Sequence, residues 1–365
     1  MRPSAFSLLL GAAIGGCASV GPSSPSSSQS SSTDALMHDY AHDDGPGAAL
    51  LVLRDGTPLV RRGYGLADLE ARVAVTPHTN FRLASVTKQF TATAILLLAE
   101  DGKLGLDDPV RKWLPSLPAA ADPITLRHLL THTSGLIDYE DVMAPDAREQ
   151  VHDIDVLHLL ETQHKLYFAP GTGYRYSNSG YALLALIVGK ASGRGFSGDG
   201  FASFLRERIF QPLGMTNTVA FEPGISTVAN RAYGYSHIDG TWQRTDQSST
   251  SAVLGDGGVY SSIDDLAKWD AALYDDRLLS AASRKLAFAS HTKTDEPDVD
   301  GYGYGWRIHG EVLWHSGETV GFRNVIVRWP QRHLTVILLT NRNDPEPYRL
   351  ALKIAAQYLP ESPAR

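Results

Sequence analysis

A serine and a lysine three residues apart open a strongly apolar stretch of this 365-residue chain, FRLASVTKQFTATAILLLAEDGKL at 81–104. From Val86 to Ala99 every residue is apolar or small and neutral except Lys88 and Gln89. Positions i and i+3 share a helix face, so Ser85 and Lys88 point the same way. Ser85 falls at the expected helix start, where unpaired N–H groups and the helix dipole favour developing negative charge. An ammonium buried in such a segment is costly unless it is paired or gives up its proton. A neutral lysine beside a serine can take the hydroxyl proton and leave an activated nucleophile. Taken alone, the spacing is better explained by an N-capping serine and a lysine whose head reaches solvent. The chain carries its own comparison. Ser290-His291-Thr292-Lys293 has the same spacing but runs into the polar TDEPDVDG, where nothing would bury the lysine.

Two further groups could join the first pair. In PGTGYRYSNSGYALLALIVGKASG (170–193), a Pro-Gly turn and a short extended piece lead through Tyr176-Ser177-Asn178 into an apolar helix. A tyrosine and an asparagine two apart in extended chain project to one side, offering a phenolic proton carrier and an amide. Singly, Tyr176 reads as a packing residue and Asn178 as an N-cap. In VLWHSGETVGF (312–322), His315-Ser316-Gly317 sits in a strand. A glycine there often marks the close approach of a ligand or another backbone.

These groups need elements to hold them. GAALLVLRDGTPLVRRGYGLAD (47–68) places two β-rich runs around Asp55-Gly56, a hairpin signal. Helices are expected near 86–101, 125–131, 153–163, 179–191, 200–210 and 263–275, with a last one near 346–358. YGYGWRI, EVLWHSG, FRNVIVRW and HLTVILLTN read as strands, and 194–200 and 290–303 as exposed loops. Strands at both ends and helices between them predict one sheet built from the two ends, with a helical lobe inserted. A cleft between the lobes is the usual place for a small-molecule site.

Ser85-x-x-Lys88, Tyr176-x-Asn178 and His315-Ser316-Gly317, in this order and these contexts, resemble the three motifs of the serine β-lactamase and penicillin-binding-protein superfamily. The Tyr-x-Asn form, with LRHLLTHTSGL (126–136) and GGVYSSIDDLAKW (257–269), is similar to the class C-like branch. That branch includes family VIII esterases and D-aminopeptidase and DD-peptidase relatives. The resemblance covers residues 40–345. It implies an α/β (α+β) fold: an antiparallel sheet flanked by helices, with sheet lobe 34–85 and 290–365 and helical lobe 86–289. It also implies a serine hydrolase, without cofactor or metal, acting on a carboxylic ester, a β-lactam or a D-amino-acid amide.

Carried over residue by residue, the resemblance makes Ser85 the nucleophile and Lys88 its proton acceptor or electrostatic support. Tyr176 would shuttle protons to and from the nucleophile and leaving group. Which of Lys88 and Tyr176 is the formal base stays open, because coupled groups share a titration. Asn178, His315, Ser316 and Gly317 would contact the substrate. The backbone N–H groups of Ser85 and Glu318 would form the oxyanion hole, where one donor is often worth roughly 10²–10³ in rate. His315 departs from the lysine that many β-lactamases carry there. A histidine near its ordinary pKa of about 6.5 is mostly neutral at pH 7. Recognition of a penicillin carboxylate is therefore expected to be weaker, and a lysine at 315 to improve it.

Other chemistries fit less well. No G-x-S-x-G elbow occurs. His128 and His132, or His38 and His42, lie four apart, but neither H-E-x-x-H nor H-x-H-x-D is present. The net charge of −7 and the absence of a Lys/Arg block argue against nucleic acid. A non-catalytic reading has the same motifs: a sensor that binds cell-wall peptide or is acylated without turnover.

The N-terminus carries a different message. Arg2 precedes the apolar AFSLLLGAAIGG, too short to span a bilayer but fitting a signal h-region. It runs into IGGCAS, which resembles a bacterial lipobox, with Cys17, the only cysteine, as the lipidated residue. The simpler alternative is an ordinary secretory signal cut nearby. The expected order is a lipoprotein signal peptide (1–16), a Ser/Pro-rich tether (17–33) and a domain (34–365). Ala18 after that cysteine fits sorting to the outer membrane, so a lipid-anchored protein of the bacterial envelope facing the periplasm is expected.

Overall fold

Asp55 and Gly56 take φ of 50° and 73°, the left-handed values that let a two-residue hairpin turn match the twist of its strands. They join β1 (Ala48–Arg54) to β2 (Thr57–Tyr64) in a computed structural model that describes residues 27–144, 146–196 and 198–359. The other strands of the main sheet come from the far end of the chain: β3 (Thr292–Lys293), β4 (Gly301–Tyr302), β5 (Arg307–His309), β6 (Val312–Thr319), β7 (Phe322–Trp329) and β8 (Leu334–Thr340). Their order is β3-β4-β5-β6-β7-β8-β1-β2, antiparallel throughout. Pairing of Ala48 with Thr340 through Arg54 with Leu334 joins the two ends of the chain. This is the antiparallel, mixed α/β architecture expected from the sequence.

Alternation along β1 sends Ala49, Leu51 and Leu53 into one core and Ala48, Leu50 and Val52 into another. Both faces of the sheet are thus covered, which is why these strands read as unbroken hydrophobic runs. Burying each of these leucine and valine side chains contributes about 1.5–3 kcal/mol. The larger core is shared with the helical lobe, and the smaller with the terminal helices α1 (Ser27–Leu36) and α5 (Tyr348–Ala356). Within the lobe, α2 (Lys88–Glu100) and α3 (Asn178–Ala191) are buried almost all round, and α4 (Ile263–Ala272) caps its Asp265 N–H with Ser262. The expected helices near 125–131 and 153–163 are Leu126–Leu130 and Asp153–Glu161. The one near 200–210 divides into Gly198–Leu205 and a wider π turn, Arg206–Phe210.

Three expectations change. Residues 27–33, read as tether, belong to α1, because Thr33 bonds the side chains of Gln357 and Tyr358 at 2.7 Å, more than 320 residues away. The supposed exposed loop 290–303 contains β3 and β4 and buries Val299 and Tyr302, since backbone pairing to β5 does not depend on polar side chains. The helical lobe also holds short strands: Val259–Ser261 pairs on one side with Phe81–Arg82, just ahead of Ser85, and on the other with Val219–Ala220, contacts that only the tertiary fold creates. The expected signal peptide and Cys17 lie outside the described residues.

Candidate active site

Ser85 sits one step earlier than the sequence suggests, in a 3₁₀ turn (Ala84–Thr87) that runs into α2, whose first residue is Lys88. Ala84 takes φ 48°, a left-handed value that costs a residue with a Cβ about 1–2 kcal/mol. The turn holds this conformation because both flanks are tied down. Leu83 N–H donates to Val259 O at 2.8 Å, Val259 N–H to Thr87 Oγ1 at 3.2 Å, and Asn324 Nδ2 of β7 to Arg82 O at 2.7 Å. On the other side β6 passes so close that a Cβ on Gly317 would stand 1.9 Å from Leu83 O. Only glycine lets the strand carrying the third motif approach the serine.

Lys88 is 0% exposed. Its Nζ reaches Ser85 Oγ at 3.1 Å, Asn178 Oδ1 at 2.8 Å and the carbonyl of Asp256 at 3.0 Å. The last two oxygens can only accept, so they take two N–H bonds and the remaining tetrahedral position faces the serine. In the amine form that position is a lone pair aimed at the Ser85 hydroxyl. By contrast Lys293, in the second copy of the spacing, is exposed.

The second motif arrives from the start of α3. Ser177, and not Asn178, is the N-cap, accepting from Gly180 N–H, which frees Asn178 to join Lys88 to Glu140 through its amide (Nδ2 to Oε1, 3.0 Å). Tyr176 is half-buried, with Lys88 Nζ 4.9 Å from its ring centre. His132 packs on the other side of that environment, its ring 4.3 Å from Tyr176 and its Nδ1 accepting from Ser177 N–H. His128, four residues earlier, completes a capping box with Thr125.

His315 is also 0% exposed. Its Nδ1 donates to Ser316 O at 2.6 Å and its Nε2 accepts from the Tyr302 hydroxyl at 2.9 Å. Burial pushes the imidazole well below its usual pKa, and the nearby Arg307 and Lys88 charges push the same way. A neutral His315 agrees with the sequence reading. The charge-poor subsite does not. Arg307 of β5, half-buried and held by Glu296 at 3.2 Å, donates to Ser316 Oγ at 2.9 Å and lies 5.2 Å from the Tyr176 ring. Arg307 could have been found in YGYGWRI only by knowing that β5 pairs with β6.

Ser85 opens into a polar cleft of about 50 Å³ lined also by Asn178, Tyr139, Glu140, Asp256 and Glu318. Both residues implied for the oxyanion hole, Ser85 and Glu318, therefore flank one space. Asp256 is buried, and its Oδ2 accepts from the Tyr139 hydroxyl at 3.1 Å. Burial raises its pKa to about 7 against the lowering effect of Lys88, with Asp153 and Glu140 adding to the rise. Glu140 is raised by desolvation and by Asp138. Neither carboxylate had a sequence signal. A larger apolar cavity of about 520 Å³, between Ile154, Leu186, Phe201 and Leu254, contains none of the motif residues.

The chain is similar to known proteins along most of its length. The chain is 33% identical over 342 residues to penicillin-binding protein 4* of Bacillus subtilis, covering 86% of this chain and 74% of that protein. The octameric penicillin-binding protein homologue of Pyrococcus abyssi superposes with a TM-score of 0.78 at 28% identity, over 91% of this chain and 76% of the other. D-amino acid amidase of Ochrobactrum anthropi superposes with a TM-score of 0.77 at 25% identity, over 91% and 99%. With a family match spanning residues 33–359, a lysine buried against a serine and a glycine strand beside them, this chain belongs to the Beta-lactamase family.

Proposed function

We propose that the chain is a serine hydrolase that works through a covalent acyl-enzyme on Ser85. The observation that carries this reading is the buried Lys88, whose Nζ is bonded to two carbonyl-type acceptors and lies 3.1 Å from Ser85 Oγ. Ser85 attacks a carbonyl carbon, its proton passes to Lys88 or Tyr176, and that proton goes on to the leaving group. The N–H groups of Ser85 and Glu318 stabilise the oxyanion, while Asn178, Ser316 and the Gly317 backbone hold the substrate. His315 acts as a neutral wall bonded to Tyr302.

The substrate classes are a carboxylic ester, a β-lactam or a D-amino-acid amide. The amide is supported by likeness to a D-amino acid amidase, and carboxylate recognition by Arg307 beside Ser316. A tethered sensor that is acylated without turnover remains the second reading, because its motif residues would be the same. Lipidation at Cys17, with anchoring in the outer membrane facing the periplasm, is part of the proposal and rests on the IGGCAS stretch.

The test is a panel of p-nitrophenyl ester, chromogenic cephalosporin and D-Ala-D-Ala peptide with wild type and Ser85→Ala. Turnover of at least one substrate, and covalent labelling by a phosphonate, should both vanish in the variant. Wild-type activity in Ser85→Ala refutes the reading, and a persistent adduct without product favours the sensor. Mass spectrometry of the mature N-terminus separates a diacylated cysteine from a free one.

A further inference from the structure

The acyl-enzyme reading gives no part to the buried aspartate at the wall of its own cleft. Asp256 lines the Ser85 cleft, is 7% exposed, and lies in the one-turn helix Leu254–Gly257 whose Asp256 carbonyl accepts from Lys88. That helix is anchored from behind. Asp153 accepts from Leu254 N–H and Gly255 N–H at 2.9 Å, and Thr91 of α2 donates to Gly255 O at 2.7 Å. The carboxyl is oriented by the Tyr139 hydroxyl at 3.1 Å, and Tyr139 is itself 0% exposed. A carboxyl so firmly placed at the wall of a catalytic cleft needs a reason, because burying it costs free energy.

We propose that Asp256 is the general base that activates the water resolving the Ser85 acyl-enzyme. The inference rests on the acyl-enzyme reading and adds the hydrolytic half of it. The cleft of about 50 Å³ has room for water beside the serine, since one water needs about 10–15 Å³ on this measure. Its walls offer Asn178, Glu140 and Asp256 as polar partners. A general base is most effective when its pKa lies near the working pH. Burial places Asp256 at about 7: Lys88 from α2 and the Tyr139 bond pull it down, while Asp153 from the Asp153–Glu161 helix and Glu140 push it up.

The step balances on these groups. The water oxygen bonds to the acyl carbon while one of its protons moves to the Asp256 carboxylate. The C–Oγ bond then breaks, and Ser85 Oγ recovers that proton by way of Lys88, 3.1 Å away. The acid product keeps the water oxygen and the second proton, which it loses to solvent, and Asp256 returns as carboxylate. Glu140 faces the same cleft but is exposed and accepts from Asn178, which suits it to holding the amide.

The experiment combines burst kinetics on a p-nitrophenyl ester with intact mass, for wild type, Asp256→Asn, Tyr139→Phe, Glu140→Gln and Ser85→Ala. Asp256→Asn should give a burst of one p-nitrophenol per chain and then slow about a hundred-fold or more, with the acyl adduct accumulating. Wild-type deacylation should rise through a step near pH 7 that Asp256→Asn lacks and that Tyr139→Phe displaces upward. Turnover of Asp256→Asn at the wild-type rate overturns the proposal, as does equal loss of burst and turnover in a folded variant, or an adduct that accumulates only in Glu140→Gln. If Asp256→Asn does not fold, an unmoved pH step in Tyr139→Phe overturns it. A burst from Ser85→Ala would instead overturn the acyl-enzyme reading itself.

Discussion

Arg307 Nη1 donates to Ser316 Oγ at 2.9 Å, so the positive charge flanking the third motif comes from the neighbouring strand and not from residue 315. From sequence, a neutral histidine at 315 implies weak carboxylate recognition. Burial does keep His315 neutral, but Arg307 supplies a cation beside Ser316 from the adjacent strand. Arg307→Gln should lower kcat/KM for a carboxylate-bearing β-lactam about 10- to 100-fold more than for a short neutral ester, because hydrogen bonds to charged groups are worth about 1.5–3 kcal/mol. The ratio of the two kcat/KM values is the measurement, and an unchanged ratio counts against the assignment.

His315→Lys also changes sign. From sequence, a lysine at 315 should improve carboxylate substrates. In the structure both ring nitrogens are bonded, the site is fully buried, and Lys88 and Arg307 already lie close enough to depress the imidazole. A third cation there would be uncompensated, a situation that typically costs about 3–5 kcal/mol. The variant should unfold at clearly lower denaturant concentration and lose activity on every substrate. Wild-type stability with improved cephalosporin turnover would restore the sequence argument.

Gly317→Ala tests the packing of β6 against the turn that carries Ser85. The added methyl would meet Leu83 O at 1.9 Å and Val86 Cγ2 at 3.3 Å. Backbone cannot yield as a flexible side-chain tip can, so the strand must move. Overpacking of this kind costs about 1–3 kcal/mol, and a displaced Glu318 N–H should lower kcat roughly 10²-fold. Steady-state kinetics and a urea melt on the same preparation check both numbers.

The buried carboxyls predict a pH signature of stability. Asp153 and Asp256 are raised to about 6 and about 7, so the folded state holds protons that the unfolded chain has released. Their contribution is fully present near pH 4 and is lost as pH rises to about 7, at about 1.4 kcal/mol per unit of displacement for each group. His132 and His315 are depressed by burial and work in the opposite direction, losing stability as pH falls below about 6.5. The comparison must therefore be differential. Wild type should be stabilised relative to Asp256→Asn at pH 5 and should lose most of that advantage by pH 8, read from denaturant midpoints. A pH-independent difference would mean that Asp256 is not buried as described.

Much of this molecule was legible in order along the chain. Ser85, Lys88, Tyr176, Asn178 and Gly317 lie in short stretches whose chemistry is local, and the hairpin at Asp55-Gly56 follows from two residues that tolerate positive φ. The sheet could be anticipated from apolar runs at both ends. Less visible were elements with little hydrophobic signal: the Ser-rich first helix, held by bonds to Gln357 and Tyr358, and β3 and β4, where β3 pairs with β4 and β4 with β5.

Residue type and spacing alone determined which groups could act as nucleophile, proton carrier and amide, because those capacities belong to the side chains themselves. Tertiary structure decided the electrical character of the site. Asp256 and Glu140 are distant from the motifs in sequence and Arg307 lies on a separate strand nine residues before Ser316, so they meet the motif residues only where β5 pairs with β6, where Glu140 accepts from Asn178 and where the Asp256 carbonyl accepts from Lys88. Charge acts through space and through the surrounding dielectric, and neither is written in the order of the residues.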